Sequence, residues 1–305
     1  MRKLALGAAL AALVAPAGAE AAAWRSQAPL PLPRSEVAAA LLGQRIVVIG
    51  GFLANGASSA RVDTYTPLAD RWSRLPNLPL QVNHAMAGAS GGRLYVVGGY
   101  TPSGPSRSTF VLDNGTWRRL PRMPGPRAAA GAAVVDGTLY VVGGVGPNGL
   151  ATRAFAFDLA RKRWSIVPGP TPREHLGVTA LRERVYAVAG RTAGFDTNLS
   201  LIEVFNPETR RWRRLQRGVP EPRGGTGATA LNGRIVSVGG EGVNGTIASV
   251  YAFNVSTRRW QRLPDLPIPR HGLGVVAFQG RVYAIAGGEQ PGLFVSGVHE
   301  SLRVP

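Results

Sequence analysis

Six short apolar runs set the rhythm of this chain: Ile46-Val47-Val48-Ile49, Leu94-Tyr95-Val96-Val97, Leu139-Tyr140-Val141-Val142, Val185-Tyr186-Ala187-Val188, Ile235-Val236-Ser237-Val238 and Val282-Tyr283-Ala284-Ile285. They are rich in β-branched and aromatic residues, too short for helices and bounded by turn formers, so each predicts a strand. Glycine pairs follow in phase: Gly50-Gly51, Gly98-Gly99, Gly143-Gly144, Gly239-Gly240 and Gly287-Gly288, with Ala189-Gly190 in the fourth place. A weakly apolar strand precedes each run, joined to it by tight turns such as Asp136-Gly137 and Asn232-Gly233, strong hairpin signals. An aromatic follows in five units (Tyr65, Phe110, Phe157, Phe205, Phe253), and seven residues after each stands a tryptophan.

Six tryptophans lie at 24, 72, 117, 164, 212 and 260, spaced 48, 45, 47, 48 and 48 residues apart. A period of this size signals a repeat architecture. Four short strands per period, repeated six times, predict an all-β, six-bladed β-propeller. The ends predict how it closes. Leu302 falls in the aromatic position of the sixth unit, which has no tryptophan of its own, while Trp24 has no strands before it. The N-terminal outer strand at Trp24 should therefore pair with the C-terminal strand and remove the one open seam.

The order of apolar run, Gly-Gly, aromatic, six residues and Trp resembles the kelch repeat, over residues 24–305. The chain resembles six-bladed kelch propellers of the exported bacterial kind. That resemblance implies a ligand face built from the loops after the glycine pairs and the loops before the innermost strands.

Composition narrows the chemistry. Cysteine is absent, which excludes disulfides, thiolate metal sites, a Cys nucleophile and the Tyr–Cys copper chemistry of galactose oxidase, a seven-bladed kelch relative. The formal net charge is +18, and of 35 basic residues only Lys3 and Lys162 are lysine. Arginines flank the tryptophans, as in Arg210-Arg211-Trp212-Arg213-Arg214, where they are expected to protect outer strand edges. Spread around the ring, they do not make a nucleic-acid site, though an anionic envelope surface is a conceivable partner. A second arginine column, Arg34, Arg127, Arg173, Arg223 and Arg270, with Val82 in the second unit, is read as structural, each holding a loop carbonyl or a neighbouring blade's carboxylate.

At the N-terminus, Arg2 and Lys3 precede the apolar stretch from Leu4 to Ala15 and small-residue cleavage sites after Ala19 or Ala21. Residues 1–21 have the layout of a secretory signal peptide, which leaves residues 22–305 as one domain in the periplasm or outside the cell.

Positions that differ between equivalent units are the candidates for function. After the glycine pairs stand Phe52, Tyr100 and Val145 in the first three units, and Arg191, Glu241 and Glu289 in the last three. Glu174, His175 and His271 precede inner strands. The expected ligand site is thus Phe52, Tyr100, Arg191, Glu241, Glu289, Glu174, His175 and His271, half apolar and half charged. Arg191 and Glu241 are the pair to test first, with alanine variants expected to bind less and to melt within a degree or two of the parent. His84, His175 and His271 on alternate blades suggest a metal ring. Bonds of about 2.0–2.1 Å would demand convergence from opposite sides of a channel, so no metal or other cofactor is expected. No catalytic signature is present among the usual motifs. The reading is a monomeric, non-enzymatic binding module for a protein or glycan; the alternative is a cofactor-free sugar mutarotase resembling the sialic-acid mutarotases of the same fold.

Overall fold

A computed structural model describes residues 23–304; the signal-like segment lies outside them. Six four-stranded antiparallel sheets follow one another around an axis. Blade 1 is Ala38–Leu42, Arg45–Ile49, Val62–Thr66 and Arg71–Leu75, running from axis to rim. Blades 2 to 5 repeat this order, their innermost strands being Met86–Ser90, Gly131–Val135, Gly177–Leu181 and Gly227–Leu231. Blade 6 is Gly274–Phe278, Arg281–Ile285, His299–Arg303 and, as its outermost strand, Trp24–Ser26. No helix among the described residues is long and apolar enough to cross a membrane.

Closure follows the expected register. Trp24 pairs with Leu302, which pairs with Val282, as Trp72 pairs with Tyr65 and Tyr65 with Ile46 in blade 1. The two-residue hairpins also form where the sequence placed them: Asp136-Gly137 joins Val135 to Thr138, with both turn residues at positive φ.

Blades are tied together by three concentric rings of hydrogen bonds. At the rim, each indole Nε1 donates to a carbonyl of the segment that follows the preceding blade: Trp24 to Pro264, Trp72 to Ala28, Trp117 to Pro76, Trp164 to Pro121, Trp212 to Pro168 and Trp260 to Arg217. Halfway in, the amides of Gly51, Gly99, Gly144, Gly190, Gly240 and Gly287 donate to the next blade's carbonyls at Val82, Arg127, Arg173, Arg223, Arg270 and Arg34. A Cβ on Gly51 or Gly144 would stand 2.5 or 2.4 Å from a backbone oxygen, so glycine is required by contact as well as by φ.

This middle ring corrects the sequence register in blade 6. The pair in phase is Ala286-Gly287, matching Ala189-Gly190 of blade 4, with both alanines at positive φ. Alanine tolerates that conformation at a cost of roughly 1–2 kcal/mol, so the glycine doublet slid one residue from the true position. Glu289 lies outside the column and is exposed.

The third ring lies at the axis. One residue per blade is left-handed there: Glu36, His84, Ala129, His175, Gly225 and Gly272, with φ between 50° and 62°. His84 N donates to Glu36 O, Ala129 to His84, His175 to Ala129, Gly225 to His175, Gly272 to Gly225, and Val37 to Gly272, closing the circle. The innermost strands approach so closely that a Cβ on Gly227 would meet Val275 at 2.1 Å.

The arginine column is buried and structural, but its partners belong to its own blade. Arg34, Arg173 and Arg270 pair with Asp63, Glu203 and Glu300. Arg127 lies over the ring of Phe155, 4.3 Å from the centroid, and Arg223 over that of Tyr251 at 5.3 Å while also pairing with Glu221 at 3.0 Å. All five also donate to carbonyls after the second strand, such as Arg34 to Gly50 and Arg127 to Gly143. Burial pulls Arg34, Arg127 and Arg223 down to about 10, which leaves them charged at neutral pH.

The seam between blades 6 and 1 carries His299, packed edge-on to Tyr65 at 4.4 Å with Nδ1 donating to Ala28 O. Burial lowers its pKa to about 4 from the ordinary 6.5, so the ring is neutral in the fold and takes a proton on unfolding. Stability from this group is present above 6.5 and is lost as pH falls toward 4. Wild type should lose about 2 kcal/mol more than His299→Asn in denaturant unfolding between about pH 7 and about pH 5. Equal losses in both proteins would remove His299 as the acid-sensitive point of the seam.

Candidate functional site

The axial ring delivers side chains from opposite blades to one point. Glu36 of blade 1, His84 of blade 2 and His175 of blade 4 occupy the same column, and their ligating atoms all lie within 4.8 Å of one another. His84 Nε2 is 3.1 Å from Glu36 Oε2 and 3.0 Å from His175 Nε2. The intervening Ala129 of blade 3 projects only a methyl group, which lets the two imidazoles meet across it. Gly272 gives Glu36 its place, because a Cβ there would stand 2.4 Å from Oε1. The cluster caps a narrow axial channel of about 140 Å³ lined below by the innermost strands.

This overturns the expectation that imidazoles from different sides of the channel cannot converge. Inter-blade hydrogen bonds hold the six backbones so near the axis that side chains two or three blades apart come within contact. His271, one position earlier in its blade, does point elsewhere: Nδ1 faces Glu36 Oε1 at 3.1 Å and Nε2 faces the Gln290 carbonyl at 3.0 Å. An acceptor on each ring nitrogen is the pattern of an imidazolium. Burial alone would lower the His271 pKa, but its bond to Glu36 and the charges of Glu36 and Glu241 outweigh burial and raise it.

A second layer surrounds the first. Arg191 donates from Nη1 to Glu241 Oε1 at 2.7 Å and from Nε to Glu174 Oε1 at 3.3 Å. Glu174 Oε1 also lies 3.2 Å from His175 Nδ1. Glu241 Oε2 is buried, 3.4 Å from His271 Nδ1, and has no hydrogen-bond partner. Phe52 and Tyr100 stand edge-on to His84, with centroids at 5.6 and 5.5 Å. Burial disfavours the Glu36 carboxylate, yet the facing His84 and the hydrogen bond from His271 outweigh it and hold the group well below the usual range. Burial pushes His84 down to about 4, against the pull of Glu36. For Glu174, burial is outweighed by His175 and Arg191, which lower its pKa.

Seven of the eight sequence-selected residues thus meet in one network: Phe52, Tyr100, Glu174, His175, Arg191, Glu241 and His271. Glu289 does not. Its carbonyl accepts from Thr246 Oγ1, and its side chain is exposed. Glu36 was missed and His84 set aside, although both share a column with His175, two positions beyond Arg34, Val82 and Arg173. The expected division into apolar and charged halves does not hold: Glu36 of blade 1 and His84 of blade 2 bring titratable groups to the axis from the half expected to be apolar, and the loop tips reverse it. Among the exposed large hydrophobic residues, Phe195, Val243, Leu293 and Phe294 all sit on loops of blades 4 to 6. The rim arginines are also less evenly spread than the sequence suggested. Arg184, Arg211, Arg213, Arg214, Arg217 and Arg258 line one groove of about 710 Å³ between blades 4 and 5.

Comparison with known proteins agrees with this architecture. The family description "KLHDC2/KLHL20/DRC7 Kelch-repeats domain" matches residues 36–218, and the Kelch motif matches residues 222–267. A Kelch-like protein, terF, of Aspergillus terreus is 29% identical over 97 residues, which cover 32% of this chain and 21% of that protein. The matched span is therefore a small part of that relative. The first match covers more than half of the chain, which belongs to the kelch-repeat family. Kelch propellers generally bind proteins, and their repeats are commonly interaction modules.

The buried Arg191–Glu241 pair also corrects the expected behaviour of its variants. Removing Arg191 leaves two carboxylates in a closed site, so Arg191→Ala should cost about 3–5 kcal/mol in denaturant unfolding. Adding Glu241→Gln should recover part of that loss, since the two act as a coupled pair. Additive losses in the double variant would show that the two groups stabilise the fold independently.

Proposed function

We propose that this kelch-repeat propeller is an exported, non-enzymatic binding module that takes a protein ligand on the face carrying the loops between second and third strands. The observation that carries this reading is the grouping of exposed apolar side chains. Val243 is 68% exposed, Leu293 58%, Phe294 49% and Phe195 38%, on loops of three successive blades. Ile268, 36% exposed, lies on the connection between blades 5 and 6.

These loops touch one another. Asn198 Nδ2 of blade 4 donates to Glu241 O of blade 5, and Thr246 Oγ1 donates to Glu289 O of blade 6. Leu293 reaches the first-blade loop, where a Cβ on Gly56 would be 3.8 Å from its Cδ1. The apolar tips thus form a crescent around the charged axis. A surface with apolar tips beside a charged centre suits a protein partner with an apolar contact edge and a polar group over the axis. Short loops with two-residue hairpins, such as Glu241–Gly242 with Gly245–Thr246, hold the tips in place. Export follows from the charged and apolar N-terminal layout.

The test is site-specific photo-crosslinking in cells expressing the full chain. A crosslinker at Val243 or at Leu293 should capture the same partner, and Phe294→Asp should abolish both adducts while the protein still melts cooperatively. A crosslinker at Arg214, in the basic rim groove, should capture none of it. Adducts confined to Arg214, or insensitive to Phe294→Asp, would move the binding surface off this face.

A further inference from the structure

We infer that Glu36, His84 and His175 form a binding site for one divalent transition-metal ion of the Zn²⁺ type at the propeller axis.

The argument starts from hydrogen-bond direction. Asn83 Nδ2 lies 2.7 Å from Ser58 Oγ, which turns Oδ1 of that amide toward His84 Nδ1 at 2.6 Å. An amide oxygen only accepts, so His84 Nδ1 carries the hydrogen and Nε2 of the neutral ring offers a lone pair. His175 Nδ1 is buried and makes no hydrogen bond, with a Glu174 carboxylate oxygen 3.2 Å away, so no neighbour fixes its tautomer. In the Nδ1–H tautomer of His175 both Nε2 atoms direct lone pairs at one point, 3.0 Å apart, and Glu36 Oε2 adds a third electron-rich atom 3.1 Å from His84 Nε2. Three acceptors then face one point, an arrangement that a cation satisfies.

The geometry suits a metal ion. Bonds of about 2.0–2.1 Å in a tetrahedral site put neighbouring ligand atoms roughly 3.3–3.4 Å apart. Two of the three separations are 3.0 and 3.1 Å, and the third is at most 4.8 Å. Two imidazoles and one carboxylate are a ligand set borne by zinc sites that keep a fourth position open. Two of the ligands have a hydrogen-bonded outer partner, Asn83 for His84 and His271 for Glu36, and Glu174 stands 3.2 Å from His175 Nδ1. Such partners fix tautomer and ring orientation at metal centres. Beside this cluster the buried Oε2 of Glu241 makes no hydrogen bond, and its counter-charge is the His271 ring 3.4 Å away.

The experiment uses the untagged full chain, freed of metal by chelation and titrated with Zn²⁺ in a calorimeter. One equivalent should bind, with the melting temperature rising as Zn²⁺ is added. His175→Ala and His84→Ala should each abolish stoichiometric binding, and Asn83→Ala should weaken it about 10–100-fold. Arg214→Ala, in the rim groove, should bind as the parent does. X-ray absorption of the Zn²⁺-loaded wild type should show two imidazole ligands, a reading that does not depend on any variant folding. The assignment is overturned if the wild type shows no saturable site, if folded His84→Ala and His175→Ala variants bind like the parent, or if absorption shows fewer than two imidazoles.

Discussion

The narrowness of the axis governs this molecule. Six blades close only if their innermost strands come within reach of one another, and the circle of backbone hydrogen bonds from Glu36 to Gly272 fixes that distance. The circle requires one left-handed residue in each blade, and four of the six are not glycine. Each of those four costs roughly 1–2 kcal/mol relative to an ordinary conformation. In return, every blade presents one side chain or one gap at a common centre. Where alanine or glycine stands, there is room; where glutamate or histidine stands, chemistry accumulates. The asymmetry of the site comes from six substitutions in one column of a nearly symmetric frame.

Around that centre the frame handles buried charge in two ways. Arginines that follow Pro33, Pro126, Pro172, Pro222 and Pro269 stitch the second strand to the loops and must be buried to do so. Blades 1, 4 and 6 neutralise them with a carboxylate from the third strand. Blades 3 and 5 put an aromatic ring at the same strand position; its face stands in for the counter-charge of Arg127, while Arg223 is also paired with Glu221 from its own loop. Blade 2 avoids the problem, since Val82 stands in the column and Phe110, opposite Val96, takes the same place in the third strand. Equivalent backbone geometry is thus reached by three side-chain solutions. The shared part of each solution is donation to backbone carbonyls, which explains why the column tolerates loss of the acid but keeps arginine wherever the loop carbonyls need a donor.

The fold was legible because its signals are periodic and redundant. Trp and the glycine pair report the same repeat, and so does the aromatic except in blade 2, where a shorter hairpin puts Leu112 and not Phe110 opposite Trp117, so the alanine at 189 did no harm and Leu302 could be placed by counting alone. The same redundancy failed at blade 6, where Gly287-Gly288 imitated the doublet and Ala286 concealed the true first position; Glu289 was misassigned for that reason. Most of the site was visible as column differences, including Arg191, Glu241, Glu174 and His175. Glu36 was not, because a lone glutamate before an inner strand looks like any solvated acid until the axial ring is known. The convergence of His84 with His175 was equally hidden, because sequence spacing says which blade a residue belongs to but not how wide the channel is. The apolar loop tips escaped for a related reason. Val243 and Leu293 sit in segments with no counterpart pattern from blade to blade, and exposure is a property of the folded loop.

Frame and loops therefore divide the work on physical grounds. The three rings of hydrogen bonds use backbone groups and indoles, and the arginine column inside each blade uses buried guanidinium groups, all of which stay in one charge state near neutral pH. The axis is different: its carboxylates and imidazoles are balanced against one another, and the burial that makes the cluster compact also makes any uncompensated charge costly. A cation or a partner's polar group placed over the axis relieves that imbalance, while the apolar tips of blades 4 to 6 gain only from a partner that covers them. A small ion can satisfy the first demand but not the second, and an apolar protein edge can satisfy the second but not the first. Both demands lie on one face, so the occupants that suit them are complementary and need not compete.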